Sequence, residues 1–210
     1  MKTLGIIGGM GPLPTARFYE LITLLNPVRY EQEHLNIIIN SRPSIPDRTA
    51  YFLNSSEPDP VPHIVEAGRA LESIGADMLV IPCITSHCFW ERISCSINVP
   101  LISMAELIRN EISQDTGLLA TDGVVRSGLF PEALLPDEET QRKVMELIYG
   151  KLKHGDYQAD ALFEIAGTLF DAGAQRIILG CTELSLLKIK DKRFIDPLEL
   201  TAKKVLELCK

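Results

Sequence analysis

Two stretches of this chain follow one plan. Gly75-Ala76 opens a short apolar run that ends at Cys83, and Gly173-Ala174 opens a second that ends at Cys181. The glycine stands eight residues before the cysteine in both copies, and hydroxyl side chains follow each time, Thr85 and Ser86 in the first and Thr182 in the second. Flanking segments repeat in the same order. Leu4–Gly9 resembles Thr116–Gly123, and Val99–Met104 resembles Arg193–Pro197. A glycine-bearing strand, a cysteine strand and a short strand are therefore written twice. The chain reads as α/β, with two pseudo-symmetric lobes, each a short, mainly parallel sheet flanked by helices. Residues 1–100 form the first lobe and 101–197 the second, and a terminal helix over 198–210 rejoins the first. Ligands bind open α/β sheets beyond the carboxyl ends of the strands. Both cysteines sit at such ends, so the predicted site is the inter-lobe cleft.

The remaining patterning agrees. Strands are expected at 4–7, 36–40, 78–82, 101–103, 117–120, 177–179 and 194–195. Helices are expected near 15–25, 63–74, 86–94, 106–112, 139–149, 160–172 and 198–208, with a short one after Cys181. Strands alternating with helical periods imply βαβ units and parallel pairing. The strands are continuous Ile/Val/Leu runs, which suits sheets covered on both faces.

Composition removes several classes of function. Of 210 residues, 46% are hydrophobic, enough for a sizeable core, and the net charge is −7. Nucleic acid and anionic membrane surfaces call for a basic face, so neither is an expected partner. No apolar run approaches the ~20 residues needed to span a bilayer. The run at 4–7 is shorter than the core of a signal peptide, which leads to the expectation of a cytoplasmic protein. The five cysteines form no CxxC pair, and the four histidines lie far apart. Neither a disulfide framework nor a metal centre is expected; Cys83-x3-His87 is the one plausible ligand spacing.

Chemistry concentrates at a few positions. A thiol just before a helix feels the positive end of the helix dipole, which lowers its pKa toward neutrality. Cys83 and Cys181 are placed for proton transfer on that ground, whereas Cys88, Cys95 and Cys209 read as small apolar side chains. Gly8-Gly9-Met10-Gly11-Pro12 between strand and helix matches neither a dinucleotide fingerprint nor a P-loop. It reads as a glycine loop able to receive a carboxylate on its backbone N–H groups, with Met10 beside the cavity. Arg48, in the Pro-bounded loop Ile45–Thr49, offers a bidentate fork for a carboxylate. Lys153-His154-Gly155 reads as a helix C-terminus.

Taken together, these motifs resemble the aspartate/glutamate racemase family of cofactor-independent, two-cysteine amino-acid racemases, and above all its aspartate racemase branch. The resemblance rests on Gly-Ile-Ile-Gly-Gly-Met-Gly-Pro at 5–12, Ile-Pro-Asp-Arg-Thr-Ala-Tyr at 45–51 and Pro-Cys-x-Thr-x-His at 82–87. It extends through Gly-Leu-Leu-Ala-Thr-x-Gly at 117–123, Val-Met-x-x-Ile-Tyr at 144–149, Leu-Gly-Cys-Thr-Glu-Leu at 179–184 and Ile-Asp-Pro at 195–197. It implies that Cys83 and Cys181 are the two acid/base residues and that Arg48 and Lys153 bind carboxylates. It further implies that Met10, Thr85, Thr121 and Thr182 line the substrate pocket. An acidic amino acid, aspartate or glutamate, is the implied substrate; no pyridoxal phosphate or other cofactor is implied, and the expected assembly is a homodimer. Two positions depart from the family pattern. Ile84 stands where asparagine usually follows the first cysteine, and Val124 stands where a threonine is usual. Both remove hydrogen-bonding groups, which suggests a less polar substrate, a different one such as a hydantoin or an unsaturated diacid, or compensation by a residue such as Arg126. A protein that binds a small acid without reacting with it is the remaining alternative.

Overall fold

The computed structural model describes all 210 residues. Two all-parallel sheets carry the repeat. The first holds four strands in the order β2-β1-β3-β4: β1 (Leu4–Gly8), β2 (Ile37–Ser41), β3 (Met78–Val80) and β4 (Leu101–Ile102). The second holds three in the order β5-β6-β7: β5 (Thr116–Ala120), β6 (Arg176–Gly180) and β7 (Phe194–Ile195). Gly5 pairs with Leu79 and Gly117 with Ile177, so each glycine strand lies beside its cysteine strand, as the repeat requires.

Strand alternation divides the core into three layers. Leu4 and Ile6 of β1, Met78 and Val80 of β3, Leu118 and Ala120 of β5, and Ile178 of β6 all join one central cluster of 24 buried residues. Their odd-face neighbours Ile7 and Leu79 turn instead to a cluster beneath the first sheet. Leu119, Ile177 and Leu179 turn to one beneath the second. The two sheets thus share an apolar middle. Helix α9 (Pro197–Cys209) adds Leu198, Ala202, Val205 and Cys209 to it and packs against α1 (Pro12–Leu24) and α5 (Met104–Arg109). The Lys2 N–H donates to the Cys209 carbonyl at 2.9 Å, tying the chain's last turn to its start.

The helices keep close to their expected places, with local reasons for the shifts. α1 begins at Pro12, a residue pre-set for the first helical turn. α3 (Val61–Ser73) and α8 (Asp160–Asp171) bury one apolar stripe each. The helix expected over 86–94 is split into a 3-10 turn over Ile84–Phe89 and a short α4 (Trp90–Ser94). α7 (Glu138–Met145) passes into a π turn over Glu146–Lys151 and a 3-10 turn over Leu152–His154, ended by Gly155 at φ +90°. Two short helices lie where none was expected: α2 (Arg48–Leu53) and α6 (Asp122–Ser127). Arg48 therefore stands in the first turn of a helix rather than in a loop, because the Asp47 carboxylate accepts the Ala50 N–H at 2.8 Å and caps it. No helix is long and apolar enough to cross a membrane.

Candidate active site

The carboxyl ends of β1, β3, β5 and β6 meet at one narrow, nearly closed crevice of about 10 Å³. All eight residues singled out in the sequence line it: Met10, Arg48, Cys83, Thr85, Thr121, Lys153, Cys181 and Thr182. Four further residues share it, namely Thr49, Ile84, Tyr149 and Glu183. Arg48, Lys153 and Glu183 also line a wider vestibule of about 560 Å³ outside it, with Gly9, Gly11 and Tyr157.

The first half supplies Cys83 as the cap of the 3-10 turn over 84–89, in extended backbone at φ −150°. The Cys83 carbonyl accepts two hydrogen bonds, from Ser86 Oγ at 2.6 Å and from the His87 ring at 3.0 Å. Arg48 is clamped by main-chain acceptors, Nη1 donating to Pro46 at 3.0 Å and Ile45 at 3.4 Å, and Nη2 to Met10 at 3.5 Å. Its Nε is buried and makes no hydrogen bond. Burial opposes the Arg48 charge, but the neighbouring Cys83 sulfur, as a thiolate, and the Asp47 carboxylate outweigh it and hold the pKa above the ordinary arginine value.

The second half supplies Cys181, whose thiol donates to Glu183 Oε2 at 3.0 Å. Burial, reinforced by the Glu183 carboxylate, pushes the Cys181 pKa well above the usual thiol value. This corrects, for Cys181, the expectation of a thiol lowered by a helix dipole. Only a four-residue 3-10 turn, Leu184–Leu187, follows Cys181, and desolvation beside an anion outweighs so short a dipole. Cys181 is accordingly a neutral thiol.

Two sets of contacts close the crevice across the halves. Thr85 and Thr121 share a hydroxyl hydrogen bond at 3.1 Å. The halves also approach closely at Gly123, where a Cβ would lie 3.2 Å from both the Thr49 Cα and the Thr85 methyl, so a larger residue would require its neighbours to give by a few tenths of an ångström. Farther out, Tyr149 Oη donates to Asp47 at 3.1 Å, and Lys153 Nζ lies 3.5 Å from Asp47 and 3.4 Å from the centre of the Tyr149 ring. Burial opposes the Asp47 charge, but the Ala50 N–H and the Lys153 and Arg48 charges prevail, keeping the carboxyl below its normal pKa. Burial pushes the Tyr149 phenol well above its normal pKa.

Reasoning from sequence missed Glu183, Tyr149 and Asp47. Their signal was present, since each lies inside a quoted motif, but nothing local distinguishes them from surface polar residues. Of the two departures, Ile84 does line the crevice. Val124 packs in the central core and is not among the lining residues. Arg126 belongs to a separate surface hollow with Arg142 and Glu138, so it cannot replace a lost polar group in the crevice. No group of three or more His, Cys, Asp or Glu side chains is placed to hold a metal ion. Both ring nitrogens of His87 are already engaged, with the Cys83 carbonyl and with the Met104 N–H.

Comparison with known proteins gives a consistent picture. A family model described as Asp/Glu/Hydantoin racemase matches residues 7–205. Broad specificity amino-acid racemase RacX of Bacillus subtilis (strain 168) is 25% identical over 207 residues, spanning 87% of this chain and 86% of that protein. Picrophilus torridus aspartate racemase superposes with a TM-score of 0.86 at 26% identity, over 99% of this chain and 94% of that one. An aspartate racemase homologue from Pyrococcus horikoshii OT3 superposes with a TM-score of 0.76 at 25% identity, over 100% and 99%.

Proposed function

The chain belongs to the Asp/Glu/Hydantoin racemase family and is a racemase enzyme; from that premise we propose that it inverts the α-carbon of an acidic amino acid by two-base proton transfer between Cys83 and Cys181. The observation that carries this reading is the meeting of both thiols with two cationic side chains in one crevice at the strand ends. The likeness to an aspartate racemase and to a broad-specificity amino-acid racemase supports an α-amino acid as substrate.

In the proposed mechanism the substrate carboxylates sit on Arg48, whose buried Nε is a free donor, and on Lys153. The thiolate of Cys83 takes the α-proton, and the electron pair of the broken C–H bond moves into the adjoining carboxylate. Cys181, held as a neutral thiol, gives its proton to the opposite face. The two sulfurs then carry exchanged protonation states, and the reverse reaction restores them. Cationic donors in a water-poor site stabilise the carbanion. Glu183 is the nearest acceptor for the Cys181 proton when that residue must act as the base. Thr85, Thr121 and Thr182 supply hydroxyls and Met10 an apolar wall. We assign the lobes to residues 1–100 and 101–197, with 198–210 returning to the first, and the working form to a cytoplasmic homodimer without pyridoxal phosphate. Light scattering on the purified protein tests the dimer.

Ile84 in the crevice wall favours a second reading, in which the same thiols act on a hydantoin or a less polar carboxylate. Incubation with L-aspartate, L-glutamate or an L-hydantoin in D2O, without added cofactor, separates the readings. Solvent deuterium in the D-product, with little in recovered substrate at early times, is the expected result for an acidic amino acid. Exchange with the hydantoin alone would establish the second reading. A ligand-induced rise in melting temperature without any exchange would overturn both.

A further inference from the structure

His87 is buried, 2% exposed, on the turn that follows Cys83. Its ring stacks on Trp90 at 5.0 Å, and its two nitrogens reach different elements. Nε2 lies 3.1 Å from the Met104 N–H in the first turn of α5, a group that can only donate. Nε2 must therefore present its lone pair, and Nδ1 must carry the proton it donates to the Cys83 carbonyl. We propose that His87 is a positioning residue for the proposed proton transfer, a neutral imidazole in one tautomer that holds the Cys83 peptide, and with it the thiol, against the Arg48 side of the crevice.

Three observations support the assignment. Burial lowers the His87 pKa to about 4, and the nearby Arg109 charge acts in the same direction, so the ring is neutral at ordinary pH. No substrate-facing role competes, since His87 is not among the crevice residues. The carbonyl it holds belongs to the residue whose sulfur would meet the substrate, whereas the cations that would bind carboxylates are fixed independently, Arg48 by the carbonyls of Ile45, Pro46 and Met10, and Lys153 by Asp47. Loss of His87 should therefore act on turnover rather than on binding.

The inference rests on the racemase reading, and two variants divide the roles of the ring. In His87→Asn the amide nitrogen falls near the place of Nδ1 and can still donate to Cys83, while the Met104 N–H loses its acceptor. In His87→Gln the amide oxygen falls near the place of Nε2 and can still accept from Met104, while the Cys83 carbonyl loses its donor. Each variant deletes one buried hydrogen bond, so similar falls in melting temperature are expected. Misplacement of a reacting group by ~1 Å costs roughly 10²-fold in rate. His87→Gln should lower kcat for aspartate racemisation by about ten- to a hundredfold with KM nearly unchanged, and His87→Asn should stay within about threefold of the parent. Iodoacetamide labelling of Cys83 at pH 8, located by peptide mass, should slow several-fold in His87→Gln only. Equal losses of kcat in both variants, or an unchanged labelling rate in His87→Gln, would overturn the proposal. If the parent protein racemises no substrate, the racemase reading fails by itself, and the labelling rates alone decide the role of His87.

Discussion

In the proposed mechanism four side chains set the chemistry at the scale of single residues: Cys83, Cys181, Arg48 and Glu183. Their environments are unequal, with Cys83 beside a guanidinium and Cys181 bonded to a carboxylate. Replacement of either cysteine by alanine should reduce racemisation by about 10³-fold or more, because a positioned acid or base contributes roughly 10²–10⁴; polarimetry and deuterium incorporation measure this. Cys209→Ala should retain activity, since Cys209 lies in the central core among α9 residues. Arg48→Lys keeps the charge but cannot reproduce a fork that reaches three carbonyls. A lysine also cannot offer a substrate carboxylate the same bidentate fork, so kcat/KM should fall by roughly 10²-fold.

The site at the scale of elements depends on turns more than on the long helices. The glycine loop between β1 and α1 passes Gly9 at φ +92°, with the Arg42 backbone pressed against the place of a side chain. Gly9→Ala should destabilise by about 1–3 kcal/mol, the usual cost of a forced left-handed residue, and urea unfolding would register it. α2 exists because Asp47 caps it, and the same carboxylate holds Tyr149 and Lys153 from the other half. Asp47→Asn keeps the cap and removes the charge, while Asp47→Ala removes both. The alanine variant should therefore be less stable than the asparagine variant by about 1 kcal/mol. Asp47 has a folded pKa below its unfolded value of 3.8, so its stabilising contribution is present above pH 3.8 and fades as pH falls through the folded value. Neither α2 nor α6 announces itself in the sequence, because six residues carry too little periodicity and each is fixed by what it packs against.

At the scale of the whole molecule, the pH dependence of stability should carry the signature of His87. Its folded pKa of about 4 lies below the ordinary 6.5, so the unfolded chain binds the proton first as pH falls. The stabilisation is present above pH 6.5 and is lost between there and about 4. With 1.36 kcal/mol per pKa unit, the parent should lose about 3 kcal/mol more than His87→Asn between pH 7 and pH 4; denaturant melts at the two pH values would show it.

The architecture was legible because it rests on short-range signals that repeat. The glycine strands, the cysteine strands and their order are local patterns, and two copies at the same spacing leave few topologies open. The eight residues named from motifs were legible too, and they meet in one crevice. Contacts between distant segments were not legible. Glu183 on Cys181, Asp47 held between Tyr149 and Lys153, and His87 bridging Cys83 to α5 each depend on the packing of the two sheets about a shared core. The raised pKa of Cys181 has the same origin. A sequence carries the dipole of a following helix as a local property, but desolvation and a facing carboxylate exist only once the chain has closed around the thiol. The sequence by itself determined where the two thiols stand; tertiary structure decided how differently they are surrounded.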